Sequence, residues 1–100
     1  MHFVYVLKSE VTQKLYIGFT SNLKKRFLQH NNATEKYTKH GIPWRLIYYE
    51  AFLSKEDAAK REKQIKTYKS AYGFLKKRIV NSMSLIELKK RGEIEIGDEA

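Results

Sequence analysis

Cysteine is absent from the chain. Without a thiol there is no disulfide framework, no cysteine nucleophile and no zinc cluster built on sulfur, and the composition suits the cytoplasm. No run of about 18 apolar residues occurs, so no membrane span is expected. The amino-terminal Met-His-Phe-Val-Tyr-Val-Leu-Lys lacks the basic start and the longer apolar core of a secretory signal. A Gly-x-Ser-x-Gly elbow and a glycine-rich phosphate loop are also missing, which argues against nucleophilic triads and nucleotide-binding loops. Three scattered histidines and few clustered carboxylates do not give the ligand spacing of a metal cage made by protein alone. Acidic residues are scarce, with eleven Asp plus Glu against twenty Lys plus Arg, a net charge of +9. Such a field attracts polyanions, of which nucleic acid is the commonest for a small basic domain.

What is present suffices for one small globular domain. Hydrophobic residues make up 42% of 100 positions, well clear of the composition of disordered chains. His2 to Lys8 and Lys14 to Thr20 are rich in aromatic and β-branched residues, and the polar link between them suggests a hairpin. A pairing symmetric about the middle of that link sets Tyr5 directly across from Tyr16, on one sheet face. Ser21 or Asn22 can cap a helix from Leu23 to about His30. On that helix Leu23 and Phe27 face the sheet, while Arg26 and His30 form a second i, i+4 pair at the edge of the buried stripe.

Residues 31 to 43 read as an irregular connection, and Trp44 to Phe52 as a third strand opening after Pro43, the only proline. Ser54 resembles the start of a capping box for a helix to about Tyr68, on which Glu62 shares the apolar stripe with Ala58 and Ile65. A carboxylate there needs a cation, an Arg or Lys partner, or a metal. Ser70 suits the cap of a further helix through Phe74, Leu75, Ile79 and Val80, and Ser84 the start of a short final one ending near Gly92. Residues 93 to 100 read as an acidic tail that frays. Between Lys55 and Arg78 stand nine basic and three acidic residues. The fold class is therefore α+β, a small three-stranded, mainly antiparallel sheet flanked by helices in the order β-β-α-β-α-α.

Two phenols, one guanidinium, one imidazole and one inward carboxylate are parts for phosphoryl transfer. Tyr16-Ile17-Gly18, with Tyr5 eleven positions before Tyr16, Arg26 ten after it and Glu62 on a later helix, resembles the GIY-YIG nuclease domain. Phe3-Val4-Tyr5 keeps only the tyrosine of the first half-motif, and Thr20 to Arg26 is similar to the segment leading into the family's arginine. The resemblance covers about residues 2 to 80 and is greatest to small stand-alone bacterial members. It suggests a domain over residues 1–82, followed by a short helix and tail over 83–100.

The resemblance implies a metal-dependent endonuclease acting on DNA (single-stranded, branched or damaged), structure-selective and of a kind used in DNA repair. It implies that Glu62 holds one Mg²⁺ or Mn²⁺, that Tyr16 or Tyr5 activates or positions the attacking water, and that Arg26 neutralises the scissile phosphate. His30 would orient the nucleophile or assist proton transfer, Gly18 is structural, and Lys24, Lys25 and Lys66 would contact the nucleic acid. Phe3 replaces a glycine of the family pattern, and Asn81 is the only candidate for a late asparagine that some members carry. Taken singly, the same residues read as half-buried sheet aromatics, a solvated arginine, a helix-ending histidine and a Glu62–Lys66 surface bridge. The rival functions are a nucleic-acid-binding module of the same fold with little or no catalysis, and a protein-interaction adaptor whose nuclease activity appears only with a partner.

Overall fold

The computed structural model describes residues 1–90. Strands β1 (His2–Ser9), β2 (Leu15–Thr20) and β3 (Trp44–Phe52) form one antiparallel sheet in the order β2-β1-β3. Helix α1 (Leu23–Asn31) follows β2, a single 3₁₀ turn (Lys39–Gly41) precedes β3, and α2 (Lys55–Thr67), α3 (Lys69–Arg78) and α4 (Val80–Lys90) close the described chain. Among the described residues no helix is long and apolar enough to cross a membrane. The expected acidic tail over 93–100 lies outside the described residues.

β1 is central, which explains why Val4 to Ser9 are buried without alternation. On one face Val4, Val6 and Ile17 pack against Ala58 and Ile65 of α2, Leu75 of α3 and Ile79. On the other, Tyr5, Leu7 and Trp44 pack against Leu23 and Phe27 of α1. Burial of this kind contributes about 1.5–3 kcal/mol for each large side chain. An irregularity opposite Val6 and Leu7 pairs them with Tyr48 and Leu46, leaving Ile47 over and turning Leu46 and Trp44 toward α1.

The hairpin register differs from the symmetric expectation by two residues. Tyr5 lies opposite Gly18, and Tyr16 opposite Leu7. Because side-chain direction repeats every second residue, an offset of two leaves both phenols on the same face. The offset comes from the link, where Ser9 Oγ accepts from the amides of Val11 and Thr12 at 3.1 and 2.9 Å and Gln13 takes a positive φ of 65°. The new pairing explains Gly18. A Cβ there would stand 2.6 Å from Tyr5 Oη and 2.7 Å from Cζ, so the phenol lies where a side chain would begin.

Asn22 is the cap of α1, its Oδ1 accepting from the Lys25 amide at 3.1 Å, and Ser54 caps α2 by accepting from the Asp57 amide at 3.2 Å. The helix breaks differ from expectation. Ser70 does not cap α3, which starts after an extended Tyr68, and α4 begins at Val80 directly after Ile79. Ile79 is buried against the sheet, and its non-helical ψ of 22° redirects the chain so that Ile86 of α4 is buried as well.

Replacing Gly18 by alanine forces Tyr5 from its seat and is expected to cost roughly 1–3 kcal/mol, seen as a lower Tm. At Gly73, inside α3, a methyl group would meet nothing within 4 Å, so Gly73→Ala should gain about 0.5–1 kcal/mol from helix propensity. Equal effects of the two substitutions in thermal melts would contradict the close packing at Gly18.

Candidate active site

Four of the residues singled out by sequence meet on the α1 side of the sheet. β1 supplies Tyr5, β2 supplies Tyr16, and successive turns of α1 supply Arg26 and His30. His30 is fully buried at 0% exposure, so it fills the core between α1 and the sheet instead of bordering it. The reason is its two partners. Nε2 lies 2.8 Å from Tyr5 Oη, and Nδ1 lies 2.9 Å from Oγ1 of Thr38, itself buried. An imidazole with both nitrogens satisfied can be buried at little cost.

The direction of this chain of bonds follows from its ends. Thr38 Oγ1 has the Glu35 carbonyl oxygen as its own acceptor at 3.5 Å, leaving a lone pair for an Nδ1–H donor. Nε2 then accepts the phenolic hydrogen of Tyr5. Burial pushes the Tyr5 phenol up to about 12, with the Arg26 guanidinium pulling the other way, so the phenol keeps its proton. Burial, assisted by the positive charge of Arg26, pushes His30 down to about 4, so the ring is neutral near pH 7.

Arg26 stands at the mouth of this cluster, partly exposed. Its Nη1 donates to Glu35 Oε2 at 3.0 Å and to Gln29 Oε1 at 2.9 Å. Tyr16 is half-buried, its ring centroid 4.7 Å from that of His30 and 6.2 Å from that of Tyr5. Beyond it Lys66 Nζ sits 5.8 Å from the Tyr16 ring centroid and donates to Glu62 Oε2 at 3.1 Å. Glu62 thus reaches the cluster through Lys66 and Tyr16, from a helix on the other sheet face. Its carboxylate is not sealed into the apolar stripe, because the side chain keeps 20% exposure and meets the lysine four residues on. Lys24 and Lys25 lie exposed on the outer face of α1, and Asn81 is exposed in the first turn of α4.

Two supporting residues come from the connection before β3, which by sequence reads as a plain link. Thr38 fixes His30, and Glu35 holds Arg26. The connection is itself anchored. Trp44 Nε1 donates to Thr38 O at 2.7 Å, the Asn31 amide brackets the Trp44 backbone at 2.6 and 2.9 Å, and Ser9 Oγ donates to Gly41 O at 2.6 Å. A signal for Glu35 was available, since it is the only acidic residue between Glu10 and Glu50. For Thr38 the sequence carries none.

A family model described as the GIY-YIG catalytic domain matches residues 1–77. The chain belongs to the GIY-YIG family. Its similar relatives include the UPF0213 protein SSP2268 of Staphylococcus saprophyticus, 41% identical over 68 residues that cover 67% of this chain and 82% of that one. The UPF0213 protein CPE1444 of Clostridium perfringens is 45% identical over 67 residues, covering 66% and 71% of the two chains. The solution NMR structure of the UPF0213 protein BH0048 of Bacillus halodurans is 32% identical, with a TM-score of 0.48 over 74% of this chain and 80% of that one. GIY-YIG membership makes a nuclease family and a nucleic-acid substrate the general setting for the cluster. The family's second half-motif is Tyr16-Ile17-Gly18 here, and the fold gives its glycine a reason, the seat of the Tyr5 phenol.

The buried imidazole makes stability depend on pH. The ordinary histidine value of 6.5 applies to the unfolded chain and about 4 to the folded one, so the unfolded state takes up the proton first on acidification. His30 therefore contributes stability in full above about pH 6.5 and loses it as pH falls toward 4. Thermal melts across that window should show a steeper decline for the wild type than for His30→Gln, and equal slopes would contradict the assignment. Thr38→Val, which strands the Nδ1–H, is expected to cost roughly 1–3 kcal/mol, while Thr38→Ser should recover most of it.

Proposed function

We propose that the protein is a divalent-metal-dependent endonuclease that hydrolyses DNA phosphodiester bonds and selects substrate by structure more than by sequence. The observation that carries this reading is the convergence of Tyr5, Tyr16, Arg26 and His30, from three separate elements, around a single half-open patch on a protein of net charge +9. Membership of the GIY-YIG family supports it.

In this reading Tyr16, the phenol that solvent reaches, orients the attacking water. Tyr5 and His30 sit behind it, a neutral pair that fixes its ring and holds a proton between Oη and Nε2. Arg26 takes the scissile phosphate. Its planar fork suits two phosphoryl oxygens, and it gathers the charge that grows on them as the water oxygen bonds to phosphorus and the ester oxygen leaves. To do so it exchanges Glu35 for the phosphate.

Among the described residues no group of three or more His, Cys, Asp or Glu gathers as a metal cage. A single partly exposed carboxylate nevertheless fits Mg²⁺ or Mn²⁺, which retain water and take one or two carboxylates together with substrate phosphate. Glu62 would hold the ion in place of Lys66, and the ion when bound supplies positive charge to the phosphoryl oxygens. Lys66, once released, and Lys24 and Lys25 supply sequence-independent contacts to the strand. The rival reading, a binding module with little catalysis, draws on the fact that Arg26 and Glu62 are both already bridged within the chain.

A nicking assay decides between them. Purified protein should cut single-stranded, branched or flapped DNA with Mg²⁺ or Mn²⁺ and not with EDTA. Glu62→Ala and Arg26→Ala should each slow cleavage by about 100-fold or more, and Arg26→Lys should recover little. Binding in EDTA should survive Glu62→Ala and fall steeply with log salt. Cleavage by either alanine variant at the wild-type rate would overturn the site assignment; salt-sensitive binding with no cleavage under any metal would establish the binding module.

A further inference from the structure

A cleft of about 370 Å³ opens beside Tyr16, along the outer edge of β2 where it faces the junction of α2 and α3. Leu15 and Ile65 line its apolar part, Tyr16 and Tyr68 contribute aromatic walls, and Lys66 and Lys69 line it as well, Lys66 with its Nζ bridged to Glu62 Oε2 at 3.1 Å. Among the described residues no carboxylate lines it. The volume lies within the range of roughly 300–1,000 Å³ of small-ligand sites, with room for one nucleotide and none for a duplex. Tyr68 is the extended residue that ends α2 and precedes α3, and it stands 59% exposed despite its aromatic ring. Tyr72, also on the cleft, is partly buried against the core and has Lys76 Nζ 4.6 Å from its ring centroid, so Tyr68 is the more exposed of the two rings.

We infer that this cleft receives one unpaired nucleobase flanking the scissile phosphate, stacked on Tyr68, with the adjoining phosphate held by Lys66 and Lys69. The inference rests on the nuclease reading for what lies next door, because Tyr16 belongs to both the cleft and the catalytic cluster. It goes further in assigning a base-binding subsite, which would give the structural selection a physical cause: the strand must be able to turn one base out beside the cut. An aromatic face accepts any base, which gives structural selection without sequence selection.

The test uses binding without catalysis. In EDTA, the full chain is titrated with a flapped duplex, whose junction fixes the register, and with the same flap strand made abasic at each position near the junction in turn. One position should lose about 10-fold or more in affinity when the base is removed, the size expected for one stacked base. Tyr68→Ala should weaken the intact strand by a similar factor and abolish the penalty at that position, whereas Tyr68→Phe should restore both. A flat scan, or a penalty that persists unchanged in Tyr68→Ala, overturns the cleft assignment. Should the position-specific penalty appear while no metal supports cleavage, the hydrolytic reading fails and the base site stands. Cleavage with a flat scan leaves the reverse.

Discussion

The phenol of Tyr5 occupies the space that any side chain at position 18 would need. That close approach suits the register that the link sets, and it fixes the depth of the ring over the sheet. From that seat the hydroxyl reaches His30, which brings the last turn of α1 down onto the sheet, and His30 in turn takes Thr38 from the connection before β3. The packing of Leu23 and Phe27 against Tyr5, Leu7 and Trp44 supplies the general attraction. The hydrogen bonds supply the particular arrangement, because a buried imidazole with a missing partner is costly and few geometries satisfy both nitrogens.

The two sheet faces divide the labour. One carries the phenols, the imidazole and the guanidinium with α1; the other carries α2, α3 and the larger aliphatic core. Glu62 belongs to the second layer and meets the first only around the free edge of β2, where Lys66 lies near the Tyr16 ring. The proposed site is therefore a seam between layers. Its charges are held in check within the chain, Arg26 by Glu35 and Glu62 by Lys66, with each bridge partly exposed and so modest in strength. A phosphate and a cation can displace such bridges without unfolding anything.

Most of the architecture was legible in the sequence. The third strand from Trp44 to Phe52, the caps Asn22 and Ser54 and the three-stranded antiparallel sheet follow from β-branched runs and short polar side chains at the right offsets. The Tyr5 pairing was not, because register is decided by the link, and the doubled acceptor role of Ser9 is a tertiary fact. The burial of His30 also escaped a helical-wheel reading. Its angle on α1 puts it at the margin, and only the distant Thr38 turns that margin into an interior. The break at Ile79 has the same origin, since a sheet surface and not a capping residue ends α3.

Trp44 is the only tryptophan in the chain. Its indole nitrogen holds the carbonyl of Thr38, its ring lies edge-on to Tyr16 at 6.4 Å between centroids, and its backbone is gripped by Asn31 at the end of α1. The one indole fluorophore is thus wired to the same loop that fixes the imidazole and to the half-buried Tyr16 ring. Indole light emitted by this protein reports chiefly on the layer that α1 covers and little on the aliphatic one behind it, which makes the molecule its own optical gauge of whether that layer is assembled.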